Sequence, residues 1–357
     1  MASGPIANVD LELIESAKRK AAFKAVEDHF DSSFSYVGIG SGSTIRYGVE
    51  AIAAHLKANP PAKGHNIMFV PTGYQSNELV RRARLLPLPF DSLPDDVMLD
   101  VAFDGADEVD EELNCIKGGG ACLFQEKLVA MRSKKFVCIA DYRKNQKRLL
   151  TAWPSIPIEV APFAEYEVLR ALRLLGSPDP VTRLNADSKA GPLKTDQGFF
   201  IVDAPFPQLL TDGDEAAGTD GSGKNGIYSV ERLARKIKMI IGVLEVGLFF
   251  GENGYEAQSK GKQGGQKPVA VYFGLENGET EKRTWDRPRT SITATLPSGF
   301  TTPKDAPRSM PHGTLPTSPA PSQNQLRTQL VNAILSRPDQ AGRGYSFDER
   351  DNVGGNT

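Results

Sequence analysis

The first 140 residues alternate short apolar runs with segments of helical periodicity, and this alternation leaves few folds open to the chain. Apolar runs that predict buried strands lie at residues 35–39, 66–70, 98–103 and 135–140. Amphipathic segments that predict helices lie at residues 10–30, 44–58, 76–85 and 125–133. The pattern is typical of the α/β class, with a doubly wound, mostly parallel sheet of Rossmann-like type. Ligands of such sheets bind beyond the carboxyl ends of the strands.

A second pattern begins after residue 153. Predicted strands lie at residues 156–160, 199–203 and 243–250, and predicted helices at 166–175 and 230–241. Together these segments predict a smaller α+β domain of the ferredoxin-like, split βαβ type. The acidic, Gly-rich residues 212–226 predict a loop within it.

The predicted domains follow from these patterns. An α/β catalytic domain at residues 1–152 is completed by a returning strand near 269–283, and an α+β domain with loop insertions spans 153–268. Beyond it, residues 288–321 contain eight prolines among Ser and Thr. Such a segment buries too little apolar surface to offset its ordering entropy, so we predict a disordered tail at 284–357.

Composition excludes several classes of function. Lys and Arg number 42 against 44 Asp and Glu, a net charge of −2, so we expect no nucleic-acid or membrane partner. No apolar run is long enough to span a bilayer, and no signal peptide is visible, so we expect a cytoplasmic protein. Three cysteines, Cys115, Cys122 and Cys138, predict neither a disulfide framework nor a zinc site.

A glycine loop follows the first predicted strand, at Gly38-Ile39-Gly40-Ser41-Gly42-Ser43-Thr44. Backbone N–H groups and hydroxyls at the start of a helix favour an anion such as phosphate. The loop lacks the third glycine of a dinucleotide fingerprint, where Ser43 stands, and it lacks the Lys of a Walker loop. A tight strand-to-helix turn without ligand remains the alternative.

Two carboxylates follow the third strand, in Asp104-Gly105-Ala106-Asp107-Glu108. At this edge of a sheet Asp104 and Asp107 could hold a metal ion, bind sugar hydroxyls or transfer protons. An Asx turn, in which Asp satisfies its own backbone, is the alternative.

A third group of residues is Lys117-Gly118-Gly119-Gly120-Ala121, followed by Glu126-Lys127. Three consecutive glycines indicate close backbone approach or positive φ. A carboxylate base such as Glu126 with an ammonium such as Lys117 suits proton abstraction beside a carbonyl, although Glu126 and Lys127 could instead form a solvated helix face. Together, the three groups predict one pocket that isomerises a sugar phosphate without metal or organic cofactor.

In this order, and with Ala140-Asp141-Tyr142-Arg143-Lys144 after them, these blocks resemble ribose-5-phosphate isomerase of the A type. The resemblance covers residues 10–274, and the insertions are similar to those of eukaryotic, fungal members. It implies interconversion of D-ribose 5-phosphate and D-ribulose 5-phosphate through a cis-enediol, in the non-oxidative branch of the pentose phosphate pathway. It also implies a metal-independent homodimer or homotetramer.

The resemblance assigns a role to each residue. It makes Glu126 the general base, Asp104 the acid that handles the ring and carbonyl oxygens, and Lys117 the group that stabilises the enediolate. It makes the substrate-binding residues Ser41, Gly42, Ser43, Thr44, Asp107, Gly118, Gly119, Gly120 and Lys144. A sensor domain that binds sugar phosphates without turnover is the alternative, although such a domain could dispense with Glu126 or Lys117.

Overall fold

The computed structural model describes residues 6–185 and 190–284, and its order of elements alternates strands with helices as the sequence predicts. The helices are α1 Ile6–His29, α2 Ile45–Ala58, α3 Tyr74–Arg82, α4 Leu123–Met131, α5 Glu165–Leu174, α6 Asp212–Ala216, α7 Val230–Lys238 and α8 Gly254–Ser259. The first seven strands are β1 Tyr36–Ile39, β2 Met68–Pro71, β3 Leu86–Pro87, β4 Val101–Asp104, β5 Glu108–Val109, β6 Cys115–Ile116 and β7 Phe136–Asp141. The others are β8 Ile156–Val160, β9 Val181–Thr182, β10 Phe200–Ala204, β11 Val243–Val246, β12 Leu248–Phe249, β13 Ala270–Gly274 and β14 Thr280–Thr284.

A seven-stranded sheet in the order β14-β13-β7-β4-β1-β2-β3 forms the larger part of the structure. All its pairs are parallel except β13 with β14. From β1 the chain proceeds outward to β2 and β3, whereas β4 lies on the other side of β1. The crevice between the carboxyl ends of β1 and β4 is therefore the topological switch point, where ligands of such sheets bind. The predicted α/β class and mostly parallel sheet are confirmed.

Each sheet face carries its own apolar core, because side chains alternate along every strand. Val137 and Ile139 of β7 point into the core that α1 and α2 cover. The intervening Cys138 points into the opposite core, which α4 completes with Val129 and Ala130. Helices on both faces bury the strands on both sides, and this explains their continuous apolar runs.

A four-stranded antiparallel sheet in the order β11-β8-β10-β9 forms a second layer. It packs with α5 and α7 around a third core of residues between 116 and 248. A three-stranded sheet in the order β12-β6-β5 joins the two parts, since Leu248 and Phe249 pair with Ile116 and Cys115. The predicted strand at 243–250 is therefore two strands, which belong to different sheets.

Two further elements differ from the sequence predictions. The predicted loop at 212–226 begins with helix α6, because Thr211 and Asp214 form a capping box at its start. Helix α7 ends at Lys238 rather than at residue 241, with Met239 as its C-cap residue.

All described residues fall within one compact unit, Met1–Arg289, and the predicted boundaries at 152 and 268 stay predictions. The predicted tail at 284–357 lies outside the described residues, apart from Thr284 at the end of β14. Within the described ranges, no helix combines the length and apolarity that crossing a bilayer requires.

Two glycines test how tightly α1 and α2 pack on the sheet. A Cβ atom on Gly274 would lie 2.5 Å from the backbone of Ala17, so Gly274→Ala should push α1 off β13 and destabilise the fold by about 1–3 kcal/mol. Gly48, inside α2, would place its Cβ 3.8 Å from Ile139, and Gly48→Ala should stabilise the fold by about 0.5–1 kcal/mol through helix propensity. Thermal unfolding of both variants checks this, and a Gly274→Ala variant as stable as the wild type would contradict it.

Candidate active site

A cavity of about 260 Å³ opens at the carboxyl edge of the large sheet. Twelve residues were predicted for the site, and all except Asp104 line this cavity, namely Ser41, Gly42, Ser43, Thr44, Asp107, Lys117, Gly118, Gly119, Gly120, Glu126 and Lys144. Asp104 is the last residue of β4 and is buried, with 2% of its surface exposed. The topology thus brings together four segments that are far apart in the chain.

Three buried charges form the centre of the site. The Lys117 Nζ lies 2.9 Å from the Asp104 Oδ2 and 3.2 Å from the Glu126 Oε2. It also donates a hydrogen bond of 2.6 Å to the Gly105 carbonyl. Apart from the Lys117 ion pairs, these two carboxylate oxygens have no hydrogen-bond partner among the described residues. The Lys117 ammonium is therefore their polar partner in the part of the chain that the structure describes.

The glycine loop after β1 fixes both carboxylates. The Ser41 hydroxyl donates a hydrogen bond of 2.6 Å to the Glu126 Oε1, and its N–H donates one of 3.2 Å to the Asp104 Oδ1. A Cβ on Gly40 would lie 2.0 Å from the Asp104 carboxylate, so only glycine allows this approach. The loop is more than a tight turn, because it holds the acidic groups in place.

Burial and charge shift the pKa values of the central groups. Burial raises the pKa of Asp104 to about 7, against the lowering effect of Lys117 and with a further increase from Glu126. For Lys117, burial acts to lower the pKa, but the two carboxylates outweigh it and raise the pKa above its ordinary value. Near neutral pH, Asp104 can therefore hold or release a proton while Lys117 stays charged.

The structure gives a different answer for each of the three consecutive glycines when we ask why glycine stands there. Gly118 adopts a φ of 109°, in the left-handed region. Gly119 donates its N–H to the Asp107 Oδ2 at 2.7 Å, and a Cβ there would lie 2.6 Å from the Asp107 Oδ1. Burial raises the pKa of Asp107, and the Gly119 N–H opposes this shift. Gly120 meets no atom within 4 Å of a built Cβ, so neither φ nor space requires glycine there.

Sequence reasoning missed Arg183, which supports this loop from the second layer. Its Nη1 donates to the carbonyls of Gly118 and Gly119, each at 3.0 Å. A bidentate pair with Asp203, at 2.7 and 2.6 Å, holds the guanidinium in position. No local motif marks Arg183, because its partners lie about 65 residues earlier in the chain.

The helix that carries Glu126 is fixed from both sides. Glu126 and Lys127 are both buried, so the solvated-face interpretation of this pair is wrong. The Lys127 Nζ donates to the carbonyls of Val246 and Leu248 at 2.5 and 2.8 Å and pairs with Glu245. Two consecutive side chains thus fix the rotation of α4, one toward the cavity and one toward β11 and β12.

Several cations surround the cavity, and sequence reasoning missed two of them. Lys18 of α1 pairs with Glu15 at 2.8 Å, and Arg143 pairs with Asp141 at 2.7 Å. Lys144, which was predicted, has no carboxylate within ion-pair distance in the part of the chain that the structure describes. Its Nζ lies 4.6 Å from the ring centroid of Trp153, another cavity residue that was missed.

The donor set does not favour a metal ion. Among residues 6–185 and 190–284, no group of three or more His, Cys, Asp or Glu side chains is arranged to hold one. The Lys117 ammonium already lies between Asp104 and Glu126, where a cation would have to bind.

Stability should depend on pH through Asp104. Its folded pKa of about 7 lies above the ordinary value of 3.8, so the folded protein keeps a proton that the unfolded chain releases in between. The free energy of unfolding contributed by this group therefore falls as pH rises through that window. Asn cannot ionise, so Asp104→Asn should unfold at a higher temperature than the wild type at about pH 8, and this gain should shrink toward about pH 5.

Asp100→Asn provides a control with the opposite sign. Burial acts to raise the pKa of Asp100, but Lys134 and the N–H groups of Ser35 and Tyr36 outweigh it and lower the pKa. Stability from this carboxylate is present above its unfolded pKa, so Asp100→Asn should lose stability at neutral pH. Melting temperatures across the same pH series decide the matter, and a gain for Asp104→Asn that did not depend on pH would contradict the assignment.

Comparison with known proteins gives the family. A model of the family described as ribose 5-phosphate isomerase A (phosphoriboisomerase A) matches residues 68–261. The match begins after the loop at 38–44, so the place of that loop in the site rests on the geometry.

Relatives and solved structures agree with this match. The ribose-5-phosphate isomerase of Mycosarcoma maydis is 48% identical over 237 residues, 66% of this chain and 74% of that protein. The ribose-5-phosphate isomerase of Schizosaccharomyces pombe is 44% identical over 271 residues, 76% of this chain and 84% of that protein. The structure of ribose 5-phosphate isomerase A from Methanocaldococcus jannaschii gives a TM-score of 0.59 at 28% identity, over 76% of this chain and 99% of the other. A D-ribose-5-phosphate isomerase in complex with phospho-erythronic acid gives a TM-score of 0.60 at 29% identity, with the same coverage. The chain belongs to the ribose 5-phosphate isomerase A family.

Proposed function

We propose that this protein interconverts D-ribose 5-phosphate and D-ribulose 5-phosphate through a cis-enediol intermediate, in the non-oxidative branch of the pentose phosphate pathway. The observation that carries the proposal is the Lys117 ammonium between the Asp104 and Glu126 carboxylates at the cavity. Family membership gives the reaction, and a related isomerase that binds phospho-erythronic acid supports a phosphorylated sugar as substrate.

In this proposal Glu126 is the general base. It removes the proton from C2 of the open-chain aldose, the electron pair forms the C1–C2 double bond, and negative charge moves to the carbonyl oxygen. Lys117 stabilises that charge in a site whose burial strengthens the interaction. Glu126 then returns the proton to C1, and the Ser41 hydroxyl keeps its carboxylate oriented throughout.

Asp104 transfers the second proton. The hydroxyl at C2 must become a carbonyl while the oxygen at C1 becomes a hydroxyl, so one proton moves between the two oxygens. A carboxyl with a pKa of about 7 can both give and accept a proton at neutral pH. The same property suits it to assist opening of the sugar ring.

Groups suited to an anion also line the cavity. Thr44, at the start of α2, makes no side-chain capping hydrogen bond. The Tyr47 N–H donates to the Thr44 carbonyl, and the N–H groups of Ile45 and Arg46 before it are placed to meet an anion. The hydroxyls of Ser41 and Ser43 and the ammonium of Lys144 line the same cavity. We assign Gly42, Asp107 and the loop Gly118-Gly119-Gly120 to binding of the sugar.

We also propose that the reaction is independent of metal ions, because Lys117 supplies the positive charge that a metal ion would otherwise give. Wild-type protein should therefore convert ribose 5-phosphate in excess EDTA. Glu126→Gln should lower kcat by about 100-fold or more while substrate binding persists, as removal of a general base implies.

Glu78→Gln on the surface of α3 is the matched control and should leave kcat unchanged. Activity that EDTA removes and Mg²⁺ restores would contradict metal independence. A wild-type protein that binds ribose 5-phosphate without converting it would contradict the enzyme assignment and favour a sensor.

The remaining architecture is proposed on the same basis. The strands β8, β9, β10 and β11 with α5 and α7 follow a strand-helix-strand-strand-helix-strand order, which supports a ferredoxin-like second domain at 153–268. The pairing of β13 with β7 supports a catalytic domain at 1–152 that the strand near 269–283 completes.

We further propose a cytoplasmic homodimer or homotetramer. The second layer exposes large apolar side chains, Phe163, Tyr166, Leu174, Met239 and Ile241. Where side chains of this kind form a continuous patch they commonly mark contacts between proteins, and in this proposal a second copy of the chain covers them. Light scattering of the purified protein measures the oligomeric state directly.

A further inference from the structure

The carboxylate of Glu108 is fully buried, yet it does not face the cavity. Instead it accepts hydrogen bonds from four successive backbone N–H groups. These belong to Leu150, Thr151, Ala152 and Trp153, at 2.5, 3.2, 2.6 and 3.0 Å. Hydrogen bonds from N–H groups to a carboxylate are strong because they are charge-assisted. Four of them to one side chain fix the conformation of the whole turn.

The backbone of this turn is shaped for the carboxylate. Leu150 adopts a φ of 65°, in the left-handed region that a branched side chain rarely enters. Such a conformation persists only where surrounding contacts determine it, and the four hydrogen bonds to Glu108 are those contacts. Without the carboxylate, the N–H groups between residues 150 and 153 would lose their common acceptor.

The next residue holds the other end of the same segment. The Val109 carbonyl accepts a hydrogen bond of 2.9 Å from the Gln146 N–H, two residues after Lys144. Glu108 and Val109 thus fix both Lys144 and Trp153 relative to β5, which follows directly on Asp107 of the site.

Trp153 supports Lys144 without neutralising it. The Lys144 Nζ lies 4.6 Å from the centroid of the indole ring, a cation–π contact. A carboxylate in place of the ring would pair with the ammonium and compete with an incoming phosphate. An aromatic face restricts where the ammonium lies and leaves its charge and N–H donors to the ligand.

We propose that Glu108 and Trp153 are positioning residues of this isomerase. Glu108 fixes the turn at 150–153, the turn places the indole ring, and the ring presents the Lys144 ammonium to the phosphate of the substrate. The inference rests on the proposed function, and it adds residues that contact neither the reacting carbons nor their protons.

The tryptophan can be tested by a pair of substitutions. Trp153→Leu keeps an apolar side chain but removes the ring, and it should raise KM for ribose 5-phosphate about five- to tenfold while kcat stays within about twofold. Trp153→Phe keeps an aromatic face and should restore KM to within about threefold of the wild type. The inhibition constant of inorganic phosphate, a probe of the anion subsite alone, should change in parallel with KM.

Coupling to Lys144 separates positioning from general packing. In a Lys144→Met background, Trp153→Leu should change the phosphate inhibition constant by less than about twofold, because the residue it acts through is gone. An undiminished effect in that background would overturn the proposal.

Glu108→Gln tests the first step of the chain. An amide offers one acceptor oxygen and turns an NH₂ group toward the N–H donors, so this variant should raise KM and the phosphate inhibition constant as Trp153→Leu does. Adding it to Trp153→Leu should give little further increase. Glu111→Gln, the same chemical change at an exposed position three residues on, should leave both constants unchanged.

If Glu108→Gln fails to fold, the tryptophan series still decides the matter. Variants that all retain wild-type KM and phosphate inhibition, in a protein that isomerises ribose 5-phosphate, would refute the inference and leave the function intact. If the wild type shows no turnover, the proposed function fails, and calorimetric binding of phosphate to the same variants still tests the positioning of Lys144.

Discussion

The ion cluster of Asp104, Lys117 and Glu126 is the interaction on which the rest of the structure depends. Burying three charges is costly, and such a cluster is retained only where its geometry satisfies each of them. Its members come from the end of β4, the residue after β6 and the first turns of α4. The central sheet, the small three-stranded sheet and the helix between them must therefore all be in register before the charges can pair.

The same requirement explains the contacts around the cluster. Lys117 donates its backbone N–H to the Gly247 carbonyl, where the chain passes from β11 into β12, and Lys127 donates to the carbonyls on either side of that residue. A Cβ on Gly247 would lie 2.3 Å from the Lys117 carbonyl, so the two segments touch backbone to backbone. The second layer thus serves as a support that fixes the lysine and the helix from behind the cavity.

How much could be predicted from the sequence depends on the range over which each signal acts. The parallel strands are buried on both faces, so they appear in the sequence as apolar runs. The residues that follow these strands meet at one sheet edge, and this placement does not depend on the conformation of the loops. For this reason, short motifs at the strand ends were enough to predict residues that line one cavity. The strands β5, β6 and β9 have two residues each, too few to show any periodicity, and none was predicted, whereas the equally short β12 was merged with β11 into one predicted strand.

Other features could not be predicted because their partners are distant in the chain. Arg183 and Lys18 reach the site only through the packing of separate elements, and no spacing rule connects them to the glycine loops. The three glycines at 118–120 were interpreted as a single feature, although the reasons for Gly118 and Gly119 are different and Gly120 has neither. The backbone φ and the space around each Cα differ from one glycine to the next, and three consecutive glycines in a sequence do not show these differences.

The segment from Asp104 to Val109 shows how one stretch of chain serves both chemistry and architecture. Asp107 lines the cavity and Asp104 pairs with Lys117 beside it, and their raised pKa values reflect burial that the fold imposes. Glu108, the next residue, accepts hydrogen bonds from backbone N–H groups. These groups stabilise the carboxylate without pairing it with a cation of the cavity. Not every cation at the cavity is left unpaired, since Lys18 pairs with Glu15 and Arg143 with Asp141. Glu108 is instead satisfied by peptide groups, and at Lys144 a ring face takes the place that an acid would otherwise fill.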